Sequence, residues 1–232
     1  ALPDDHPFWN AEAAPLPALD SLKPMPFANM LVQRRAGRVT AYPLGVNQVP
    51  GHGQFPEKYA KFAYDTRFGF CASRSREVIE QAAPDSMLAF VIDRNVFVRR
   101  ASESWKIENG AVTTKWSPFP GIEVTTTITP TATGHHRHHE VDSVFECEAY
   151  DTGFAVPNFA PDYDELVESH SAEAHCDTLR CKVSSDSGEG ALIKCDPNTS
   201  LYFANVRLPA VKYTLAKGHT VIDTDITDAA DR

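Results

Sequence analysis

The sequence lacks a long apolar stretch, since no window approaches the roughly 18 consecutive apolar residues that a membrane-spanning helix needs. Residues 1–6 also lack the basic-then-apolar pattern of a secretory signal, although such a segment could precede Ala1. There is no stripe of Lys and Arg with interleaved aromatics, and the formal net charge of −9 would repel phosphate backbones. We therefore expect neither a membrane nor a nucleic acid among the partners of this chain.

Motifs of several familiar enzyme classes are also missing. The sequence has no serine nucleophile elbow, no phosphate-binding Gly loop, no zinc-protease helix and no paired CxxC. Carboxylates are plentiful, but no pair stands out as the two acids that flank the scissile bond in a glycosidase. The usual hydrolase, kinase and redox functions therefore have no support in the motifs of this sequence.

Cysteine is sparse, and the five residues are too irregularly spaced for a disulfide scaffold. Their odd number leaves at least one thiol outside any internal disulfide. Cys71 and Cys147 lie in apolar runs and favour buried thiols. Cys176, Cys181 and Cys195 lie in a polar stretch that is compatible with a local disulfide, so both a cytoplasmic and a secreted location stay open.

Proline is concentrated at the start of the chain, where residues 1–30 hold six of the 17 prolines. This density excludes a continuous helix or a central strand and predicts an extended arm. Phe8 and Trp9 within the arm require burial, which indicates a neighbouring domain that this arm contacts. Residues 31–232 are then expected to form one domain.

Short β-type runs separated by turn residues dominate the rest of the chain. Residues 62–70 alternate bulky and small or polar side chains, and residues 122–129 alternate with many threonines. Residues 93–95 and 108–110 predict hairpin turns, and residues 141–150 are the expected partner of 122–129. The fold class is therefore all-β, an antiparallel β-sandwich of about ten to twelve strands. Its few short helices are expected at 74–82 and 163–168.

The segment His135–Glu140, with the sequence HHRHHE, is the densest group of metal-capable side chains. If it is a strand, His136 and His138 share one face, whereas His135, Arg137 and His139 share the other. We assign His136 and His138 as candidate ligands of a divalent metal, with a third ligand required from His170, His175 or a carboxylate. The alternative is a polar loop with adventitious metal affinity.

A second candidate site lies around the strand predicted at residues 59–70. Basic and hydroxyl side chains there could hold a sugar carboxylate by charge-assisted hydrogen bonds. In the arm, His6 could exchange a proton with a sugar, and Trp9 could stack on the sugar ring. The alternative is a solvated strand face, with lysine stems lying over apolar surface, and an arm anchored by its indole. The candidate substrate-binding residues are Lys58, Tyr59, Lys61, Tyr64, Arg67, His6 and Trp9.

Three phrases carry a resemblance to a known family: LPDDHPFW at residues 2–9, EKYAKFAY at 57–64 and APDSMLA at 83–89. With them the chain resembles a large, uncharacterised bacterial and fungal family in which an α/α-toroid domain precedes a β-rich C-terminal domain. The resemblance covers only that second domain and is best over residues 2–130. Some bacterial members are glycoside hydrolases that remove uronic acids from complex glycans.

The resemblance implies an accessory C-terminal β-sandwich domain of a glycoside hydrolase-like protein. Such a domain would help to shape a glycan site together with an N-terminal toroid, the partner that the resemblance implies. Because the toroid holds most of the sugar-binding cleft in such proteins, the resemblance implies that this chain alone does not carry a complete active site. The sequence departs from the family pattern at Asp65, where serine is expected, and at Glu140 and Asp142, where basic character is expected. A stand-alone, lectin-like glycan-binding module is the alternative, and no tightly bound cofactor is expected in either case.

Overall fold

The structure is a computed structural model that describes residues 21–25, 30–35, 38–43, 88–93, 95–98, 104–154, 156–158, 161–176, 179–194 and 206–227. Within these ranges it is all-β and forms an antiparallel sandwich, which confirms the predicted fold class. The described ranges alone contain 17 strands, more than the number expected from the sequence. None of these ranges contains a helix of the length and hydrophobicity needed to cross a membrane.

The strands follow one another along the chain as short antiparallel segments. They are β1 (Ser21–Met25), β2 (Met30–Arg35), β3 (Arg38–Pro43), β4 (Leu88–Ile92), β5 (Asn95–Val98), β6 (Ser104–Glu108), β7 (Ala111–Phe119), β8 (Ile122–Pro130), β9 (Gly134–Ser143), β10 (Cys147–Thr152), β11 (Val156–Pro157), β12 (Asp164–Val167), β13 (Ser171–Cys176), β14 (Leu179–Ser184), β15 (Glu189–Lys194), β16 (Val206–Leu215) and β17 (Gly218–Thr227).

These strands form three sheets. Strands β1, β2 and β3 form a three-stranded sheet in that order. A six-stranded sheet has the order β11-β16-β10-β4-β5, with β15 also paired to β16, and an eight-stranded sheet has the order β12-β13-β14-β17-β9-β8-β7-β6. The two larger sheets pack face to face, and Phe90 of β4 meets Trp116 of β7 edge to face, with ring centroids 5.9 Å apart.

The hairpin turns confirm two sequence predictions. Ile92 pairs with Asn95 and Glu108 with Ala111, so each connection has two residues. In the second turn Asn109 and Gly110 both have positive φ, at 51° and 77°. Two consecutive positive φ values are the requirement of the type I′ turn that matches the twist of a hairpin, and an Asn-Gly pair meets it at low cost.

The structure corrects the helix predicted at 163–168, because residues 164–167 are the edge strand β12. Hydrogen bonding to β13, from the Asp164–His175 pair to the Val167–Ala172 pair, overrides the helical preference of this acidic segment. All four residues are exposed, and Asp164 and Glu165 supply the charge that disfavours pairing of this sheet edge with another chain. The other predicted helix, at 74–82, lies outside the described residues.

Residues 141–150 do not form one strand, which is a second correction. Strand β9 ends at Ser143 in the eight-stranded sheet, and β10 begins at Cys147 in the other sheet. The chain therefore crosses between the layers here, although β9 is the partner of β8 as far as Ser143. Residues 21–25 of the predicted arm form β1, an edge strand in which Pro24 is tolerated.

The cysteine predictions have mixed outcomes. Cys147 is a buried free thiol, as expected. Cys176 is also a buried free thiol, so the structure contains no local disulfide between Cys176 and Cys181. Both residues lie in strands of the eight-stranded sheet rather than in a polar loop. Cys71 and Cys195 lie outside the described residues.

Candidate functional site

Strand β9 carries the two groups of polar side chains in which chemistry is concentrated. The HHRHHE segment is an inner strand of the sheet and not a loop, because it pairs with β8 on one side and β17 on the other. His135, Arg137 and His139 are buried on the face that meets the second sheet. His136 and His138 lie on the outer face and are partly exposed. This division confirms the alternation predicted from the sequence.

The inner group is built around Asp151 of β10, on the opposite sheet. Its side chain is 0% exposed and accepts hydrogen bonds from Arg137 Nη1 at 2.6 Å and from His139 Nε2 at 3.1 Å. Arg137 also donates from Nη1 to the carbonyl oxygen of Thr152 at 3.0 Å and from Nε to His135 Nε2 at 3.2 Å. One buried carboxylate thus joins two basic side chains across the interior of the sandwich.

Neutral side chains extend this network through the core. The indole N–H of Trp116 donates to Thr126 Oγ1 at 3.0 Å, and Thr126 Oγ1 lies 2.8 Å from His139 Nδ1. On the other side, the hydroxyls of Tyr213 and Thr224 lie 3.0 Å apart and connect β16 to β17. Both ring nitrogens of His139 therefore have partners, which is the usual state of a buried imidazole.

Electrostatics keep the inner network charged. Burial alone would raise the pKa of Asp151, but the interactions with Arg137 and His139 outweigh burial and hold that pKa well below its usual range. Burial and the nearby charge of Asp151 raise the pKa of Tyr213 to about 12. At neutral pH, Asp151 is therefore an anion and Tyr213 is a neutral hydrogen-bonding group.

The burial of this network defines what it can do chemically. Arg137, His139 and Asp151 are between 0% and 4% exposed, so they are closed to a dissolved substrate. Loss of one partner from a buried ion pair of this kind is strongly destabilising, because the other charge is then buried without a counter-ion. The inner network is thus part of the scaffold.

The outer group pairs histidines with carboxylates across β9 and β17. His136 Nδ1 lies 2.8 Å from Asp225 Oδ1, and its Nε2 lies 3.1 Å from Asp223 Oδ1. The same Asp223 oxygen lies 2.7 Å from His138 Nδ1. Near the other end of the β9–β17 pair, His219 Nδ1 lies 2.9 Å from Asp142 Oδ1. In this pair the histidine belongs to β17 and the carboxylate belongs to β9. We refer to His136, His138, Asp223 and Asp225 as the outer cluster.

Opposite charges shift the titration of the outer cluster. Burial lowers the pKa of His136, but hydrogen bonds and charges from Asp225 and Asp223 outweigh it, so the pKa is raised above 6.5. Burial raises the pKa of Asp223, but His138 and His136 outweigh it and the pKa is lowered. Both shifts favour the charged pair.

The metal site predicted at His136 and His138 requires a third ligand. Within the described ranges, no group of three or more His, Cys, Asp or Glu side chains is placed to hold a metal ion. His170 Nδ1 instead lies 2.6 Å from the carbonyl oxygen of Gly188, and His175 Nδ1 lies 3.5 Å from Glu173 Oε1. The metal site therefore stays a prediction.

The sugar-binding residues predicted from the sequence cannot be placed in this geometry. The strand predicted at residues 59–70, which carries four of them, lies outside the described residues. All seven candidates do so too: Lys58, Tyr59, Lys61, Tyr64, Arg67, His6 and Trp9. Conversely, sequence inspection missed Asp151, Asp223 and Asp225 as partners of the histidine segment. The sequence contains one weak signal of this contact. Asp223 and Asp225 are two residues apart, as are His136 and His138, so each pair lies on one face of its strand.

Comparison with known proteins identifies the family. The family model described as the DUF2264 C-terminal domain matches residues 52–188, more than half of the chain. The chain belongs to this family. The match includes strands β4 to β14, and with them the inner network as far as Asp151 and the β9 half of the outer cluster. No curated protein matches the sequence.

Larger proteins of known structure are similar to this chain at low sequence identity. A heparan sulfate lyase from Pedobacter heparinus is 10% identical, with a TM-score of 0.46 over 86% of this chain and 30% of its own. A 4-alpha-glucanotransferase from Thermococcus litoralis is 9% identical, with a TM-score of 0.46 over 87% of this chain and 36% of its own. The chain thus spans about a third of the length of these proteins.

Proposed function

We propose that this chain is the accessory C-terminal β-sandwich domain of a carbohydrate-active, glycoside hydrolase-like protein. The observation that carries the proposal is the match of residues 52–188 to a family described as a C-terminal domain. A domain of that description follows other domains in a longer protein. In the proposed protein it packs against an N-terminal α/α-toroid domain and helps to shape a glycan site there.

The chemistry of the described residues supports an accessory role. The most strongly perturbed carboxylate, Asp151, is fully buried and committed to Arg137 and His139. A glycosidase needs two carboxyl groups that reach the glycosidic bond from an open cleft. A buried carboxylate of this kind stabilises a scaffold, so we assign the catalytic acids of the proposed protein to the toroid domain.

A uronic-acid-containing glycan is the ligand class we propose for the composite site. Lys58, Lys61 and Arg67 supply three cations within ten residues of a chain with net charge −9. A sugar carboxylate is recognised by charge-assisted hydrogen bonds, each of which contributes about 1.5–3 kcal/mol. Loss of one such contact should therefore lower affinity by about ten- to a hundredfold.

The experiment compares the two-domain protein, its toroid domain and the 232-residue chain on glucuronic-acid-containing oligosaccharides. The two-domain protein should release the uronic acid, and the 232-residue chain should not. Arg67→Gln in the two-domain protein should lower kcat/KM by about ten- to a hundredfold, the effect of one charge-assisted contact. Lys106→Gln is the matched control, because this lysine is exposed and pairs with Glu108 on the edge strand β6.

Two outcomes would contradict the proposal. If the 232-residue chain binds the oligosaccharide as tightly as the two-domain protein does, the chain is a self-sufficient glycan-binding module. If Arg67→Gln and Lys106→Gln have equal effects, the Lys58–Arg67 segment does not contact the sugar.

A further inference from the structure

The seam between strands β9 and β17 brings two histidines and two aspartates to one exposed face of the eight-stranded sheet. These strands join two runs that are consecutive in both chain and sheet, β6 to β9 and β12 to β14, and they pair over ten residue pairs. Asp225 lies opposite His136, and Asp223 lies opposite His138. Because opposite residues share a face, the outer cluster is a square of two imidazoles and two carboxylates.

Two ring nitrogens of the outer cluster converge on one carboxylate oxygen, Asp223 Oδ1. His138 Nδ1 lies 2.7 Å from this oxygen, and His136 Nε2 lies 3.1 Å from it. The second nitrogen of each ring is directed to a different carboxylate. His136 Nδ1 lies 2.8 Å from Asp225 Oδ1. His138 Nε2 lies 4.0 Å from Glu140 Oε1. Each ring therefore faces Asp223 with one nitrogen and a further carboxylate with the other.

This pairing of ring nitrogens is the one that metal-binding histidines have in proteins. A histidine that ligates a metal donates its other ring N–H to a carboxylate or carbonyl group, which fixes the tautomer and the ring orientation. When His136 donates from Nδ1 to Asp225, its Nε2 carries a lone pair that faces Asp223 Oδ1. A positive ion bound to both atoms removes the repulsion between their lone pairs.

We propose that the outer cluster is a site for a divalent transition-metal ion such as Zn²⁺. The ligands are His136 Nε2, His138 Nδ1 and the carboxylate of Asp223, and Asp225 positions the ring of His136. Imidazole and carboxylate groups together suit Zn²⁺, and three protein ligands with one water complete its tetrahedral coordination. Strand β17 thus supplies the third ligand that the two histidines of β9 require. This site does not depend on the proposed glycan-related role.

The ligand side chains must separate to admit the ion. Two ligands about 2.1 Å from a tetrahedral metal lie about 3.4 Å from each other, farther apart than the two contacts of Asp223 Oδ1. In their hydrogen-bonded positions, the donors of the described residues therefore form no group of three around one point. His136, His138 and Asp223 are 35%, 38% and 52% exposed, so their side chains can rotate without disturbing the core.

The strands on both sides of the seam present neutral side chains to the outer cluster. On β8, Thr129 lies opposite His136 and Thr127 lies opposite His138. On β14, Ser184 lies opposite Asp225. No lysine or arginine at these three positions competes with a metal ion for the carboxylates. Two carboxylates and two neutral imidazoles carry a charge that a divalent cation neutralises.

Isothermal titration calorimetry of the intact, tag-free 232-residue chain with zinc chloride tests the site. The wild type should bind Zn²⁺ at this site, and His136→Ala and Asp223→Ala should each abolish that binding because each removes a ligand. Asp225→Asn removes only the carboxylate behind His136, so it should weaken binding about ten- to a hundredfold. His219→Ala is the matched control, because it breaks the separate pair with Asp142 and should leave the affinity for Zn²⁺ unchanged.

Nitrogen-15 NMR of the imidazole rings in the wild-type chain tests the geometry without a substitution. With Zn²⁺ bound, His136 should be coordinated through Nε2 and should keep its proton on Nδ1, where Asp225 accepts it. Because the ion ties β17 to β9, Zn²⁺ should also raise the Tm of the wild type but not that of Asp223→Ala.

Two results would overturn the proposal. If the wild type binds Zn²⁺ no more tightly than His136→Ala and Asp223→Ala do, any bound ion is adventitious and lies elsewhere on the chain. If the ring of His136 stays uncoordinated at saturating Zn²⁺, the outer cluster is only a set of hydrogen-bonded pairs.

Discussion

Replacing Asp151 measures how strongly the inner network holds the two sheets together. Asp151→Asn keeps the size of the side chain but removes the charge that Arg137 and His139 share. Arg137 is only 4% exposed, so its guanidinium would be left buried without a counter-ion. Loss of one partner from a buried pair costs about 3–5 kcal/mol. For a protein of this size, that corresponds to a Tm about 6–20 °C lower.

Urea and thermal unfolding, followed by tryptophan fluorescence, to which the buried Trp116 contributes, give the free energy of unfolding. Glu148→Gln is the matched control on the same strand, because Glu148 is on the outer face and pairs with Lys212 at 2.9 Å. A partly exposed pair of this kind contributes at most about 1 kcal/mol. The double variant Arg137→Met/Asp151→Leu should be more stable than Asp151→Asn, because it leaves no unpaired buried charge.

The pH dependence provides a second check on the same residue. Because the pKa of Asp151 is lowered in the folded state, its stabilisation is present above the ordinary aspartate pKa of about 4 and is lost as the pH falls through the folded value. The difference in the free energy of unfolding between wild type and Asp151→Asn should therefore become smaller as the solution is made more acidic. If Asp151→Asn lowers the free energy of unfolding at pH 7 by no more than Glu148→Gln does, the inner network does not hold the two sheets together.

Three further substitutions or modifications test the packing around this network. Gly134→Ala should destabilise the folded protein by roughly 1–3 kcal/mol, because an added Cβ would lie 1.7 Å from the backbone oxygen of Ile226. Thermal melts followed by circular dichroism measure this loss of stability. Ile122→Ala should lower the free energy of unfolding in urea by about 2–5 kcal/mol, because Ile122 is fully buried. Glu123→Ala, at the exposed neighbouring position, should change that free energy by no more than about 0.5 kcal/mol. Burial raises the pKa of the Cys147 thiol, so iodoacetamide at pH 8 should alkylate it only after unfolding, as judged by peptide mass spectrometry.

The parts of the fold that the sequence predicts are those determined by neighbouring residues. The Asn109-Gly110 turn is predictable because positive φ at two consecutive positions requires such residues. Alternation in residues 122–129 likewise predicts a strand with one solvated face. Strand β12 is different, because four exposed residues carry no burial pattern and only pairing with β13 makes them a strand.

The inner network could not be predicted for a related reason. Hydrophobic patterning identifies buried apolar residues, and it gives no reason to bury Arg137 or His139. These side chains are buried only because Asp151, from the other sheet, provides a counter-charge, and nothing local to either segment reveals that contact. The alternation of HHRHHE did predict which residues share a face, since that follows from strand geometry alone.

The register of β9 connects the inner network to the outer cluster. Because side chains alternate along a strand, a slip of one residue would move His136 and His138 into the core and carry Arg137 out to solvent, leaving Asp151 without its guanidinium. Gly134 opposes such a slip, since its lack of a side chain allows the close approach of the Ile226 backbone at the end of the β9–β17 seam. The buried charges thus fix the register, and the fixed register is what places His136 between two aspartates.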